Sequence, residues 1–289
     1  MPLTNQFLVA VVVAGMFAAQ AAGQMPLAWK LKAGEKFDLH VEQQTASTVS
    51  VVNKTTKTSI EMTLDSHWTV ESVEDGTAKI RQTVRRVQMK VQAADTAPLA
   101  YDTASPGQPS GAVRDLANAV APLVDPESSI VMTMNERGEI QSVELSPKLA
   151  ALLDSAQPAS QSLDALLKQP LVTLPAKAVS AGDTWEATRE LATPAGKFTQ
   201  QTEYTLGEPK EAGGTTADAI TYSATLTPVA AGKAKIKEQS QTGTVLFDGQ
   251  AGRFLSGEQS QKLVTETPYR EATITVVVES QIKRTLTVR

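Results

Sequence analysis

The run ATITVVVESQIKRTLTV, Ala272–Val288, alternates almost without fault. Ala272, Ile274, Val276, Val278, Ile282, Leu286 and Val288 fall on one parity; Thr273, Thr275, Glu279, Gln281, Lys283, Thr285 and Thr287 fall on the other. A period of two is the signature of a strand with one buried and one wet face. At roughly 3.3 Å per residue the run extends on the order of 55 Å, against a usual strand of about five or six residues. A strand that long twists and curves. The expected fold is therefore mainly β: a large curved antiparallel sheet, or two similar half-barrel-like sheets, with an apolar concave face.

The same rhythm recurs upstream. Ile60, Met62, Leu64, Trp68 and Val70 share a face opposite Glu61, Thr63, Asp65, His67, Thr69 and Glu71. Phe37, Leu39 and Val41 open an earlier strand, and Tyr204, Leu206, Ile220, Tyr222, Ala224 and Leu226 repeat the pattern later. Between Lys79 and Val91 the parity switches at Arg85-Arg86, where one extra residue in a β-bulge restores both faces. Asp75-Gly76 reads as a hairpin turn. Two stretches break the rhythm. Val113 to Leu123 has helical spacing with Pro126 just beyond it, and Ser146-Pro147 opens a second helix that buries Leu149, Leu152 and Leu153. Leu163, Leu166 and Leu167 continue as a third short helix. All three are expected to pack on the concave face.

The two halves share an order of signals. Gly34-Glu35-Lys36-Phe37 matches Gly182-Asp183-Thr184-Trp185, and Gly76 to Ile80 is echoed by Gly214 to Ile220. A hairpin through Asn135-Glu136-Arg137-Gly138 has its counterpart through Asp248 to Gly252. The expected organisation is a signal peptide at 1–21, a first β repeat with an inserted helix at 22–145, a helical connection at 146–174, and a second β repeat at 175–289.

The address is read from the other end. Phe7–Ala19 is an uncharged apolar run of signal-peptide length, and Ala19-Gln20-Ala21 supplies a small-x-small cleavage pattern, although no Lys or Arg precedes it. The expectation is export, to a periplasmic or extracellular location. The sequence has no cysteine, so the exported chain relies on its core rather than on disulfides. With 27 basic and 31 acidic residues the net charge is −4, without a basic block. A nucleic-acid partner is not expected, nor is a membrane-spanning segment after the signal.

The blocks KAGEKF, LPAKAVSAGDTW and GTVLFDGQAGRFLSGEQ resemble those of a family of exported bacterial proteins that carries a domain of unknown function, over most of the mature chain. More remotely, long curved strands with helices across one face are similar in shape to the half-barrels of periplasmic lipoprotein carriers and related lipid-binding proteins. That analogy carries no diagnostic residue.

Catalytic chemistry is thinly represented. His40 and His67 are the only histidines, and each stands among polar strand neighbours with no metal-ligand spacing. No Gly-x-Ser-x-Gly elbow occurs. Glu71, Glu74 and Asp75 cluster, which keeps a hydrolase as a distant alternative. Asp248 to Gly252 lacks the alternating acids of a calcium loop. Aromatic residues make up 4% of the chain, too few for a sugar-stacking platform or for the girdles of an outer-membrane barrel. No cofactor or metal is expected. The leading expectation is a non-enzymatic envelope protein that binds a hydrophobic small molecule or a partner protein. Its lining would come from Ile60, Met62, Leu64, Trp68, Ile220, Tyr222, Ile274, Val276 and Val278. The alternative is a structural or protein-interaction module whose concave face is filled.

Overall fold

Alternation carries most of the chain into strands. The computed structural model describes residues 26–93, 96–105, 107, 109–155, 170–193, 196–229 and 235–289. The expected signal segment and the expected helix at Leu163–Leu167 lie outside the described residues. In the first half the strands are β1 (Lys36–Val51), β2 (Lys54–Glu74), β3 (Thr77–Ala93), β4 (Leu99–Asp102), β5 (Ile130–Asn135) and β6 (Ile140–Leu145). In the second they are β7 (Thr184–Thr193), β8 (Gly196–Leu206), β9 (Lys210–Ala212), β10 (Thr215–Pro228), β11 (Lys235–Asp248), β12 (Arg253–Tyr269) and β13 (Ala272–Val288). Two short helices, α1 (Ala112–Val120) and α2 (Pro147–Ser155), interrupt the first half and follow it.

All strands join one antiparallel sheet, in the order β6-β5-β3-β2-β1-β13-β12-β11-β10-β8-β7, with β4 beside β3 and β9 beside β10. The first and last strands meet at its middle, paired from Phe37 opposite Val288 to Val51 opposite Ile274. The sheet is not closed, and β6 and β7 are its edges. Laid flat, the ten steps between those edges would part them by about 48 Å at ~4.8 Å per strand. Yet Ile140 on β6 and Arg189 on β7 line one cavity, so the sheet curls until its edges approach.

The parity switch at Arg85-Arg86 is a bulge. Asp65 pairs with Arg86 and Ser66 with Val84, which leaves Arg85 without a partner on β2. Val87 is thereby returned to the core face, fully buried. The turn at Asp75-Gly76 joins β2 to β3 with both residues at positive φ, as a two-residue hairpin requires.

The cover of the core face differs from expectation. Helix α1 packs on β4, and α2 on β6 and on the 3₁₀ turn Ala121–Leu123, so both sit at one margin of the sheet. Extended chain provides the cover instead. Leu27, Trp29, Val172, Leu174 and Val179 enter the same cluster as Phe37, Trp68, Ile80, Met132, Phe247 and Phe254. Both pieces of extended chain are fastened through backbone groups at hairpin turns. Trp29 N–H donates to the Glu136 carbonyl at 2.8 Å, and Lys30 N–H to the Gly252 carbonyl at 2.9 Å. Leu174 N–H donates to the Arg137 carbonyl at 2.8 Å. The interior of a helix cannot do this, because its backbone groups are already paired.

Candidate functional site

Cross-strand pairs place side chains in rows across the core face. One row runs Trp185, Tyr204, Tyr222, Gly243, Gln259, Ile282, Gln43, Met62. A second runs Leu206, Ile220, Val245, Gly257, Arg284, Val41, Leu64. Arg189 pairs with Gln200 two residues beyond Ala187 and Thr202. The first row begins aromatic and the second aliphatic; they turn polar at Gln259 and Gln43 and at Arg284, and both end apolar on β2 at Met62 and Leu64.

The polar middle surrounds a cavity of about 520 Å³. Its walls include Arg189, Gln200, Thr202, Tyr204, Tyr222, Gln241, Gln259 and Arg284, together with Ile140, Leu171, Ala187 and Leu191. Arg189 Nε donates to Gln200 Oε1 at 2.6 Å, and Gln200 Nε2 donates to Gln241 Oε1 at 2.8 Å. The Tyr222 hydroxyl donates to Gln259 Oε1 at 3.1 Å. Trp185 stacks on Tyr204 with centroids 5.4 Å apart, and Tyr204 leans on Tyr222 at 5.6 Å. Tyr222 lies against Gly243, where an added β-carbon would stand 2.5 Å from its hydroxyl. Beyond Ser223 the β10–β11 ladder stops, and the Gln239 side chain replaces it. Its amide accepts from Leu226 N–H at 2.7 Å and donates to the Leu226 carbonyl at 3.0 Å.

The electrostatics of the cavity are cationic. Burial pulls Arg189 and Arg284 below the ordinary arginine range, and the charge of Arg284 adds to the effect on Arg189. Both remain guanidinium ions at neutral pH. Neither forms an ion pair with a carboxylate among the described residues, and Arg189 Nη1 is buried without a hydrogen-bond partner among them. Burial also pushes the Tyr222 phenol up to about 12, with Arg284 pulling the other way.

Beside this chamber lies an apolar slot of about 100 Å³, whose walls include Leu39, Val41, Met62, Leu64, Trp68 and Met132. Ile140, Leu171 and Arg284 border both spaces. Of the residues read from the sequence, Met62, Leu64 and Trp68 line the slot and Tyr222 lines the chamber. Ile220 is fully buried in the core. Ile60 borders a shallow polar groove with Thr45, Gln261 and Ser280. Ile274, Val276 and Val278 stand half-buried at the far end of β13, away from both chamber and slot. Arg189 and Arg284 were not among the expected lining, although the sequence marks them. Each interrupts an apolar parity, Arg189 between Ala187 and Leu191, and Arg284 between Ile282 and Leu286.

The histidines sit on the outer face as a crossed pair of cross-strand contacts. His40 Nδ1 is 2.6 Å from Asp65 Oδ1, and His67 pairs with Asp38. Among the described residues no group of three or more His, Cys, Asp or Glu side chains could hold a metal ion. No described helix is long and apolar enough to cross a membrane.

No protein-family model matches the chain, and no curated protein matches it. The three sequence blocks quoted above thus find no matching family. Among solved structures, the chain is similar to one described by lipid–protein interactions in lipovitellin, with 12% identity and a TM-score of 0.51. That match covers 89% of this chain and 25% of the other, so this chain spans about a quarter of that one's length. An outer membrane channel from Pseudomonas putida F1 matches with 8% identity over 90% of this chain and 97% of its own. Its TM-score of 0.24 is too low to indicate a common fold. At 12% identity, the lipovitellin likeness is one of fold alone.

Proposed function

We propose that the protein is a non-enzymatic, exported envelope protein that binds a hydrophobic ligand or lipid on the core face of its sheet. The observation that carries this reading is the cavity of about 520 Å³ beside an apolar slot, under a cover of extended chain. That volume falls in the range of small-molecule sites, roughly 300–1,000 Å³. A filled-core interaction module would leave no such space. The fold shared with lipovitellin, whose structure is described by its lipid interactions, supports the same reading.

Native mass spectrometry of protein purified from its envelope without detergent tests the proposal. A stoichiometric apolar adduct, diminished in Met62→Trp where the slot is filled, is the expected result. A bare mass that incubation with envelope lipids leaves unchanged would instead favour the interaction module.

A further inference from the structure

Arg189 and Arg284 pose a physical problem that the protein alone does not solve. Two half-buried cations on the wall of one cavity lose part of their hydration and repel each other, and cations drawn from water ordinarily have a paired anion. The nearby polar groups only partly compensate. Gln200 accepts one hydrogen bond from Arg189, and Tyr222 offers the dipole of a neutral phenol. The carboxylates on the cavity wall are occupied or turned away. Glu139 is engaged by Arg137 at 3.1 Å and Asn135 at 2.7 Å, and Glu190 is exposed on the outward parity of β7. Lys197, on the same wall, adds positive charge.

The position of Arg284 gives the site a direction. It stands in register with Val41 and Leu64, and it borders both chamber and slot. A ligand contacting it from the chamber side has apolar surface directly ahead. Three of the slot residues are methionines (Met62, Met132 and Met134), whose unbranched side chains reshape readily around an apolar guest.

We infer that the chamber receives the acidic headgroup of an amphiphile, held between the guanidinium groups of Arg189 and Arg284, with its apolar part directed into the slot beside Met62 and Leu64. This deepens the ligand-binding reading above and rests on it. The chemistry required is an anion able to accept hydrogen bonds from guanidinium, and both a carboxylate and a phosphate qualify.

Isothermal titration of the full-length protein with dodecanoate, dodecyl phosphate, 1-dodecanol and inorganic phosphate at one ionic strength separates the outcomes. Both acids are expected to bind at least about tenfold more tightly than the alcohol, and inorganic phosphate not measurably. The tighter of the two acids names the headgroup. Arg284→Gln and, independently, Arg189→Gln should bring the acids down to the level of the alcohol. Circular dichroism and thermal unfolding like those of the parent protein should show that both variants fold. Lys283→Gln, the same change of charge on the outer face, should alter nothing. Equal affinity for acids and alcohol would overturn the headgroup inference and leave the lipid reading standing. Inorganic phosphate binding as tightly as dodecyl phosphate would overturn the amphiphile. Binding by none of the four would overturn the lipid reading itself.

Discussion

Leu174 and Arg137 are joined twice: the Leu174 N–H donates to the Arg137 carbonyl at 2.8 Å, and Arg137 Nε donates to the Leu174 carbonyl at 2.9 Å. The clasp fastens the segment that covers the core to the β5–β6 turn, next to the sheet edge. Arg137→Ala keeps the first bond and removes the second, along with the ion pair to Glu139. The Arg137 side chain is 34% exposed, so the loss is expected to be modest, about 1 kcal/mol by urea denaturation. The Leu174 amide should exchange with solvent markedly faster. Unchanged exchange would mean that packing alone holds the segment down.

Gly138 and Gly182 have similar backbones and different surroundings. Their φ angles are +81° and +92°, where a side chain is strained wherever it points. A β-carbon on Gly182 would meet nothing within 4 Å, whereas on Gly138 it would run into the Val172 carbonyl and stand 2.6 Å from Trp29 Nε1. Gly182→Ala should therefore cost only the conformational strain, roughly 1–2 kcal/mol. Gly138→Ala adds overpacking beneath both covering segments, for a total of about 3 kcal/mol or more. Equal costs in thermal unfolding would remove the close approach from the account.

Periodicity made the sheet legible, but it could not show which lengths of strand are covered. Leu286 and Val276 share a strand and a face, and the sequence reads them alike. Leu286 is 5% exposed within the core cluster, while Val276 is half-buried opposite Val49 and Thr265. The difference comes from Leu27–Trp29 and Val172–Leu174, extended segments with no period to read, which reach only one end of the long strands. The cationic chamber went unread for a related reason: Arg189 and Arg284 look like lapses in an apolar pattern until the curled sheet brings them together. Leu286→Asp should cost on the order of 4 kcal/mol or more, and Val276→Asp only about 1 kcal/mol, in chemical denaturation. Similar losses would restore alternation as the sole determinant.

His40 carries a pH dependence on the outer face. The hydrogen bond that His40 donates to Asp65 raises its pKa above 6.5, burial opposes the shift, and Glu42 reinforces it. A pKa raised in the folded state contributes stability that is fully present below about 6.5. That contribution is lost as pH rises through the folded value. Proton NMR titration should place His40 above a free histidine, and Asp65→Asn should bring it down. A His40 that titrates unshifted would mean that the pair is open in solution.

Tyr222 carries a second pH dependence, on the alkaline side. Its phenol is pushed up from 10.0 to about 12, chiefly by burial, so the folded protein retains a proton that the unfolded chain releases. The contribution is therefore complete below pH 10 and disappears as pH rises through the folded value. Between those two values stability should fall by roughly 1.4 kcal/mol per pH unit from this residue alone. Tyr222→Phe removes the titrating group while preserving the ring against Tyr204 and Gly243. Denaturation midpoints measured from pH 9 upward should fall less steeply in the variant, and absorbance titration should lose an ionisation near pH 12. The same alkaline slope in both proteins would show that the phenol is hydrated, and that the chamber around it is open to bulk water.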